Sequence, residues 1–491
     1  MKRILFTILV SMLAAASALA QQSMLRSAYF MSGYNGRGDL NPAFSAERNY
    51  FSLPSLGGTA LSVQSNMGVS TFLYPIDGQL TTFMSSNVSP DDFLSKLKNN
   101  NRLGVNVGVS VFSLGIWGRK SFFNFGIRQR VNAGLNVPYS LFDFMKNAGK
   151  SQYYDISDIA VNADAYMEYS FGWSRQFADK INVGARVKFL MGEGRAEARI
   201  DKMHVQMTED RWSVTSSGKL TAACGLLDVK TKGETGADVD SPEDVDLLDE
   251  FYFKEVNGSN IGSLIGGYGA AIDLGAELEL IPGLRLSLAV NDLGGIFWNS
   301  VTEAKTRKDS WSFEGFEDIS FDEGEGKENS LSEQFKALGD DFQDLAKFYR
   351  TAKDASKFKM LTMTLNFGAE YVMPFYKGLT AGFLSSSRFN GPHTWSEGRF
   401  YANLKPCDWF SFATNYAISS YGSTMGAALG FHAAGFNMFL GADAIGFKYA
   451  KASEQGLVYP YGQLHLGLNF GISFNLGRRH DTAPGHALIS L

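Results

Sequence analysis

The stretch LHLGLNFGISFNL, residues 464–476, indicates the fold most directly because two chemical types of side chain alternate along it without exception. Leucine, isoleucine and phenylalanine stand at every even position, and histidine, glycine, asparagine and serine at every odd position. Successive residues of a strand point to opposite faces. The run is longer than the ~5–6 residues of an ordinary strand and reaches the ~9–11 that cross a bilayer at a tilt. We therefore predict a membrane-crossing strand with an apolar face for lipid and a small, polar face for a lumen.

The same alternation recurs in LGVNVGVSV (103–111), AIDLGAELEL (271–280) and LTMTLNFGAEY (361–371). A β-sandwich with one wet face shows similar alternation over shorter runs. The repeated long runs therefore favour a transmembrane antiparallel β-barrel over a secreted sandwich, and they place an all-β chain in the outer membrane, surrounded by its lipid. The polar positions are predicted to face the lumen, and those singled out are Asn106, Asp273, Glu277, Glu279, Asn366, Glu370, His465 and Asn469.

Turn lengths predict the topology. Outer-membrane barrels have short periplasmic turns and long extracellular loops. The longer stretches include 201–264 and 298–357, and within the second one apolar residues at helical spacing predict a helix over 331–349 on the barrel rim. Short connections between alternating runs predict six hairpins, at 118–120, 178–180, 282–283, 376–378, 406–408 and 434–435. With an opening strand near 58–66 and a closing strand at 463–476, the total is about 14 strands.

The amino terminus and the composition indicate an exported, single-domain chain. Lys2 and Arg3, an apolar run and the small residues around Ala20 predict a signal peptide over residues 1–20. The 491 residues include 52 Gly and 39 Phe but 12 Pro, and no linker-like segment divides them. We expect the barrel to span 57–476 and a periplasmic tail to span 477–491. The formal net charge of -5 argues against a nucleic-acid partner.

No constellation of residues predicts catalysis, a metal or a cofactor. The histidines are dispersed, the glycines follow the strand alternation, and no phosphate-binding loop is present. Cys224 and Cys407 lack zinc-like spacing, and their spacing does not decide whether they pair. The acidic run around Asp238–Asp246 lacks the glycine and terminal glutamate of an EF-hand, so a solvated external loop is favoured over a calcium site. We predict a protein that is not an enzyme.

The segment 21–56 does not alternate, and it is too aromatic for a solvated tail. We expect it to fold into the lumen as a plug or hatch, containing Arg37, Gly38, Asp39, Asn41, Pro42 and Ala43. Arg37-Gly38-Asp39 is also the tripeptide that some adhesion receptors bind. Because the tripeptide precedes strand one on the periplasmic side, we favour a tight turn at Gly38, with Arg37 and Asp39 paired to lumen-facing charges.

RSAYFMSGYNGRGDLNPAFS (26–45), followed by QSNMGVSTFLYPIDGQLTTF (64–83), resembles uncharacterised outer-membrane barrels of Bacteroidota that carry a domain of unknown function. These in turn resemble the FadL-type superfamily of hydrophobic-compound transporters, as does VNDLGGIFWN (290–299). The resemblance implies a 14-stranded barrel with Asn41, Pro42 and Ala43 in an N-terminal hatch. In such transporters, hydrophobic ligands enter from outside and leave through the wall or past a displaced hatch. The extra segment 477–491 departs from the pattern.

Three functions are compatible with these features. The first is a FadL-like channel for small hydrophobic molecules that is gated by the hatch. The second is a non-transporting scaffold that binds a protein partner through extracellular loops 201–264 and 298–357, since the wider superfamily includes scaffolds for secretion and gliding machinery. The third is an adhesin that presents Arg37-Gly38-Asp39 at the cell surface. The channel is the favoured prediction.

Overall fold

The computed structural model describes most of the chain between residues 25 and 480. The described residues are 25–54, 56–76, 79–147, 152–178, 180–208, 211–224, 227–237, 239, 242–253, 265–306, 310–313, 347–389, 391, 394–433, 435–445, 449–451, 458–460, 462–478 and 480. The predicted signal peptide, Asp238, Asp240 and the tail from 481 lie outside them. So does the predicted helix over 331–349, apart from its last three residues.

Strands account for most of the described chain. In chain order they are β1 (Asn49–Ser52), β2 (Thr59–Gly68), β3 (Leu73–Ile76), β4 (Gln79–Thr82), β5 (Asn100–Trp117), β6 (Ser121–Pro138), β7 (Tyr153–Asp155), β8 (Ile159–Ala178), β9 (Ile181–Met207), β10 (Trp212–Cys224), β11 (Leu227–Thr231), β12 (Leu248–Phe253), β13 (Gly267–Ile281), β14 (Leu284–Thr306), β15 (Ser310–Phe313), β16 (Phe348–Met360), β17 (Met363–Val372), β18 (Leu379–Phe389), β19 (Trp395–Cys407), β20 (Phe410–Ser419), β21 (Gly422–His432), β22 (Phe436–Ile445), β23 (Tyr449–Lys451), β24 (Val458–Pro460) and β25 (Gln463–Leu476).

The helices of the described residues are short. They are α1 (Arg37–Leu40), α2 (Val69–Phe72), α3 (Pro90–Leu94), α4 (Tyr139–Asn147) and α5 (Lys232–Thr235), with 3-10 turns at Arg26–Ala28 and Pro242–Asp246. Over the described ranges, no helix combines the length and the hydropathy needed to cross a membrane.

The wall of the barrel is a closed ring of antiparallel strands. Each wall strand pairs with its neighbours in chain order, and β25 returns to pair with β1 and β2. β1 and β2 form one interrupted wall strand, and β16 and β17 form another because both pair with β14. The result is a closed 14-strand antiparallel β-barrel, so the predicted fold class is confirmed. All six predicted turns lie at junctions between paired wall strands.

Two boundaries differ from the prediction. The wall begins at Asn49, inside the range 21–56 expected as hatch, because β1 already pairs with β5 and β25. The ranges 201–264 and 298–357, expected as loops, contain strands, because β9 and β14 continue past the wall and both pair with β10. β15 also pairs with β10, and β16 pairs with β14. Phe348 and Tyr349 therefore belong to a strand rather than to the predicted helix. Ladder pairing beyond the membrane satisfies the backbone of these extensions.

The two faces of the wall differ as the alternation predicts. In β13, Leu274 and Leu278 are exposed on the outside, whereas Asp273 and Glu277 are buried on the inside. The exterior thus has the apolar surface that transmembrane barrels turn toward lipid. Large exposed apolar side chains of other wall strands include Phe171, Val187, Phe189, Leu288, Phe367, Phe400, Leu440 and Leu468.

Candidate functional site

The N-terminal segment, residues 25–48, lies inside the ring of strands, and its hydrogen bonds to inward-facing residues of wall strands far apart around the ring show this position. The backbone amide of Arg26 donates to the Asp443 carboxylate of β22 at 2.9 Å. The carbonyl of Leu40 accepts from the side-chain amide of Asn291 on β14 at 2.9 Å. These polar contacts replace the water that the wall residues would otherwise bind. The segment therefore occupies space in which an open pore would hold solvent.

The charged residues of the Arg37-Gly38-Asp39 tripeptide have different partners. Asp39 forms ion pairs with Arg128 of β6 and with Arg186 of β9, the second at 2.7 Å. Burial acts to raise the pKa of the Asp39 carboxyl, but the two guanidinium groups outweigh it and lower that pKa to about 2. The expected pairing with lumen charges is thus confirmed for Asp39.

The expected pairing is wrong for Arg37. Its Nε donates to the Tyr29 carbonyl at 3.2 Å, and its guanidinium lies 4.3 Å from the centroid of the Phe44 ring. Among the described residues it forms no ion pair within 4.0 Å. Because Arg37 and Gly38 are buried inside the barrel, no receptor can reach the tripeptide, and the adhesin hypothesis fails on this geometry.

Asn41, Pro42 and Ala43 rest on two glycines of the wall. Gly184 of β9 and Gly275 of β13 stand directly opposite each other in the ladder. A Cβ atom at Gly184 would overlap the Pro42 carbonyl oxygen, and one at Gly275 would overlap the Asn41 Oδ1 atom. The Asn41 Oδ1 atom also accepts from the Ala43 amide at 2.9 Å. The paired glycines thus form a flat patch on which the turn of the N-terminal segment lies.

This contact gives a direct test of how the segment is held. Gly184→Ala and Gly275→Ala should each displace residues 41–43, because the groups that must move include backbone and a buried amide. We expect trypsin to cleave after Arg37 severalfold faster in the folded barrel. Gly104→Ala on β5 is the matched control, since its Cβ would meet the Tyr421 hydroxyl at an ordinary 3.6 Å. Equal protection of all three variants would show that the glycine patch does not hold the segment.

A cluster of opposite charges lies on the inner face of the wall beside the N-terminal segment. Lys188 Nζ is 2.6 Å from Asp292 Oδ1 and 2.8 Å from Asp273 Oδ2. Arg130 pairs with Glu168 at 2.6 Å and with Asp292 at 3.1 Å. The cluster joins five wall strands, from β6 to β14. Asp292 has a left-handed backbone, φ 62°, next to a register shift, and its amide donates to Asp273.

The eight residues predicted to face the lumen all lie on wall strands. Asn366 donates to the Leu40 carbonyl at 3.2 Å, and Glu370 pairs with Arg285 at 2.9 Å. Only Asp273 belongs to the charge cluster around Lys188, so the structure does not bring the eight together at one site. Asn106 and Glu279 are half-buried. The buried ones are Asp273, Glu277, Asn366, Glu370, His465 and Asn469.

A second charge cluster was missed in the sequence. On β19, Arg399 pairs with Glu397 at 2.9 Å, and Glu397 also lies 3.7 Å from Arg26 of the N-terminal segment. A signal was available, because residues two apart on one strand share a face. Across the described residues, no three His, Cys, Asp or Glu side chains are placed to hold a metal ion, and no disulfide joins Cys224 to Cys407.

A cavity of about 510 Å³ opens at the short-turn end, below the N-terminal segment. Its roof includes Phe30, Met31 and Arg37 of that segment. Its walls come from strands β14 and β17–β20 and from the turns at 376–378 and 406–408. The cavity size falls within the ~300–1,000 Å³ of small-molecule pockets. This cavity is therefore a candidate ligand space that borders the segment.

The first wall strand is interrupted beside the N-terminal segment. Phe51 stands opposite Phe474 of β25 and Thr59 opposite Phe470, so the first wall strand has more residues between these two pairs than β25 has. Ser52 still pairs with Ser113 of β5, whereas the described residues 53, 54 and 56–58 lie outside β1 and β2. Two backbone bonds cross the interruption, from Ile472 N to Leu56 O at 2.5 Å and from Ser110 N to Gly58 O at 2.8 Å. Small cavities border Gly57 and Ser110 on the inner side, next to Asp39. At the interruption, fewer backbone hydrogen bonds join the first wall strand to its neighbours, and this part of the wall adjoins the buried segment.

Comparisons with known proteins concern the barrel as a whole. No curated protein matches the chain. Solved structures whose backbone this chain matches include the Pseudomonas putida toluene transporter TodX. That match has 8% identity, covers 94% of this chain and 96% of that chain, and has a TM-score of 0.38. The Ralstonia pickettii toluene transporter TbuX matches at 9% identity, 94% and 96% coverage and a TM-score of 0.35. A Pseudomonas aeruginosa FadL homologue matches at 12% identity, 93% and 96% coverage and a TM-score of 0.34.

These values are too low to assign a function. The family model described as "Family of unknown function (DUF5723)" matches residues 42–443, from the Pro42 turn of the N-terminal segment to Asp443 on β22. Because that match spans most of the chain, this barrel protein belongs to the DUF5723 family.

Proposed function

We propose that this chain is an outer-membrane channel for small hydrophobic molecules, with the N-terminal segment as its hatch. The observation that carries the proposal is the position of that segment, which fills the lumen directly beside the interrupted first wall strand. The apolar exterior of the wall supports a membrane location, and the ring of wall strands supplies the path.

The interruption supports a hydrophobic cargo in particular. A polar solute needs an aqueous route through both ends of a barrel, whereas a hydrophobic one gains free energy by moving sideways into lipid. An unpaired stretch is where a wall can part at the smallest cost, since an intact ladder would have to lose its backbone hydrogen bonds inside the bilayer. The described residues 53, 54 and 56–58 already lie outside β1 and β2, and two backbone hydrogen bonds cross the interruption. A molecule released there would pass from the lumen into the membrane.

The test is uptake by cells of a Gram-negative host that lacks its own channel for hydrophobic compounds. The probe is N-phenyl-1-naphthylamine, which fluoresces once it reaches membrane lipid, and nitrocefin hydrolysis by a periplasmic β-lactamase reports polar permeability. We expect the chain to speed dye uptake and to leave nitrocefin hydrolysis unchanged. Deleting 53–56 brings Ser52 and Gly57 into one continuous strand, and it should return dye uptake to the level of cells without the protein.

A variant with four serines in place of residues 53–56 keeps the interruption and is the matched control, so it should retain dye uptake. Folding of each variant is checked by the shift in gel mobility on heating. The proposal fails if the chain does not change dye uptake at all. If the deletion variant transports as well as the parent, the lateral exit is wrong and the route leads past the hatch.

A second candidate function is a scaffold that binds a protein partner outside the membrane. The observation that favours it is a hydrogen-bonded sheet that β9, β10, β14, β15 and β16 form beyond the wall. Trp212 is exposed at the end of this sheet. Tryptophan is enriched at protein interfaces. Trp212→Ser would weaken capture of such a partner and leave dye uptake unchanged, so the two functions are separable.

A further inference from the structure

Arg37 differs from the other buried arginines around the N-terminal segment. Arg186 and Arg399 each pair with a carboxylate, at 2.7 and 2.9 Å. Arg37 is 5% exposed, and the one hydrogen bond that its side chain forms in the described part of the chain runs from Nε to the Tyr29 carbonyl. A guanidinium keeps its charge in proteins. A buried charge that lacks an anionic partner is costly, so Arg37 requires either solvent or an anion beside its outer nitrogens.

The surroundings of Arg37 favour an anion. Arg37 lines the cavity of about 510 Å³ at the short-turn end. The same cavity is lined by four basic side chains, Arg37, Arg285, Lys377 and Lys405, against the two carboxylates of Glu370 and Asp408. Glu370 is already engaged with Arg285 at 2.9 Å. Lys405 is likewise 3.7 Å from Glu47, and Glu277 lies 3.9 Å from Arg285. Arg37 and Lys377 are therefore the two basic side chains of the lining that form no ion pair within 4.0 Å in the described part of the chain, against the one remaining carboxylate of Asp408.

The rest of the lining is apolar. Phe30 and Met31 contribute from the N-terminal segment, and Val372, Leu404 and Phe412 contribute from the wall. A bare inorganic anion would leave these surfaces without a partner, whereas an anion on an apolar body would cover them. The combination of one buried cation with aromatic and aliphatic walls is typical of a site for a small organic acid.

We propose that this cavity binds a small organic oxyanion, such as an aromatic carboxylate or phosphate ester. Arg37 is the cation that pairs with the oxyanion, and the apolar side chains that include Phe30 and Phe412 contact the rest of the ligand. The ligand reaches the site from the short-turn end. Because Arg37 belongs to the N-terminal segment and Lys377 to the wall, a bound oxyanion joins the two. The site does not require that the barrel transport anything, so binding and uptake are independent measurements.

The experiment is calorimetric titration of the full-length mature barrel in a neutral detergent at low ionic strength. The probes are benzoate, phenyl phosphate, inorganic phosphate and the uncharged benzyl alcohol. We expect benzoate or phenyl phosphate to bind about tenfold or more tightly than benzyl alcohol, the difference that one charge-assisted hydrogen-bonded pair supplies. Inorganic phosphate should bind more weakly than phenyl phosphate.

Arg37→Gln should weaken binding of the organic anion by about tenfold or more, whereas Arg37→Lys, which keeps the charge, should lose less. Lys377→Gln alters an exposed residue of the turn, and it should reduce affinity severalfold with no effect on folding. Arg119→Gln is the matched control, an exposed arginine in a turn at the same end but outside the cavity lining, and its affinity should equal that of the parent. Bound ligand should also slow trypsin cleavage after residue 37.

Three outcomes would overturn the proposal. The first is absence of binding by all three anions. The second is equal affinity for benzyl alcohol and benzoate, which would show an apolar pocket without an anion site. The third is unchanged affinity in both Arg37→Gln and Lys377→Gln. None of these results bears on dye uptake, so failure of the site and failure of the channel are distinguished.

Discussion

Removal of residues 25–48 is expected to convert a closed barrel into an open pore. In planar bilayers, the full-length chain should show little ion conductance, and the deletion variant should show steps larger by an order of magnitude or more. The physical reason is the width of the lumen. Interior side chains fill the lumen of an eight-stranded barrel, but the lumen of a 14-strand barrel is wider than that. The inner faces of the strands are polar, so water can replace the segment at the wall residues it now contacts.

The deletion is also expected to fold. Arg128, Arg186 and Asp443 lose their partners in the segment, but in an open lumen they regain water rather than remain buried and unpaired. The mobility shift on heating checks this. The Gly275→Ala variant is an independent test, because it keeps the segment in the chain but displaces residues 41–43, and it should give intermediate, flickering conductance. A deletion variant that conducts no more than the parent would show that other parts of the chain close the lumen and that the N-terminal segment is not the gate.

Lys188→Met is expected to cause the largest loss of stability among single substitutions of the wall. Lys188 is 1% exposed and lies against Asp273, Asp292 and, at 3.8 Å, Glu168. Methionine matches the length of the side chain but removes the charge, so three buried carboxylates retain only the two guanidinium groups nearby. Breaking a buried charge cluster in this way costs about 3–5 kcal/mol in the free energy of unfolding. Urea denaturation of the barrel in lipid vesicles measures it.

Lys219→Met is the matched control for that measurement. Lys219 forms an ion pair with Asp201 at 2.7 Å, but its side chain is 59% exposed on the strand extension. Exposed pairs contribute roughly 0–1 kcal/mol, so this variant should unfold close to the parent. Equal losses for the two substitutions would mean that water reaches the Lys188 cluster. No loss for either would mean that the cluster contributes nothing to the wall.

The wall strands were predictable from the sequence because the two faces of the wall contact environments of very different polarity. Lipid on one side and a polar lumen on the other impose a period of two on every crossing strand, and LHLGLNFGISFNL shows it completely. Short turns separate one alternating run from the next, and the hairpins at 118–120 and 406–408 therefore lie where expected. Outside the membrane this constraint is absent, and there the predictions failed. The strands of 201–264 and 298–357 depend on partners such as β10 and β14, which alternation cannot identify.

By itself, the sequence determined the fold class, the approximate strand number, the turns and the presence of a non-alternating, aromatic segment ahead of the wall. Each of these follows from local periodicity or composition. Only the tertiary structure decided which lumen charges meet, that Gly184 and Gly275 form one patch under Asn41 and Pro42, and that Asp39 is paired whereas Arg37 faces a cavity. Those contacts join residues far apart in the chain, and they depend on strand register and barrel closure, which no short stretch of sequence contains.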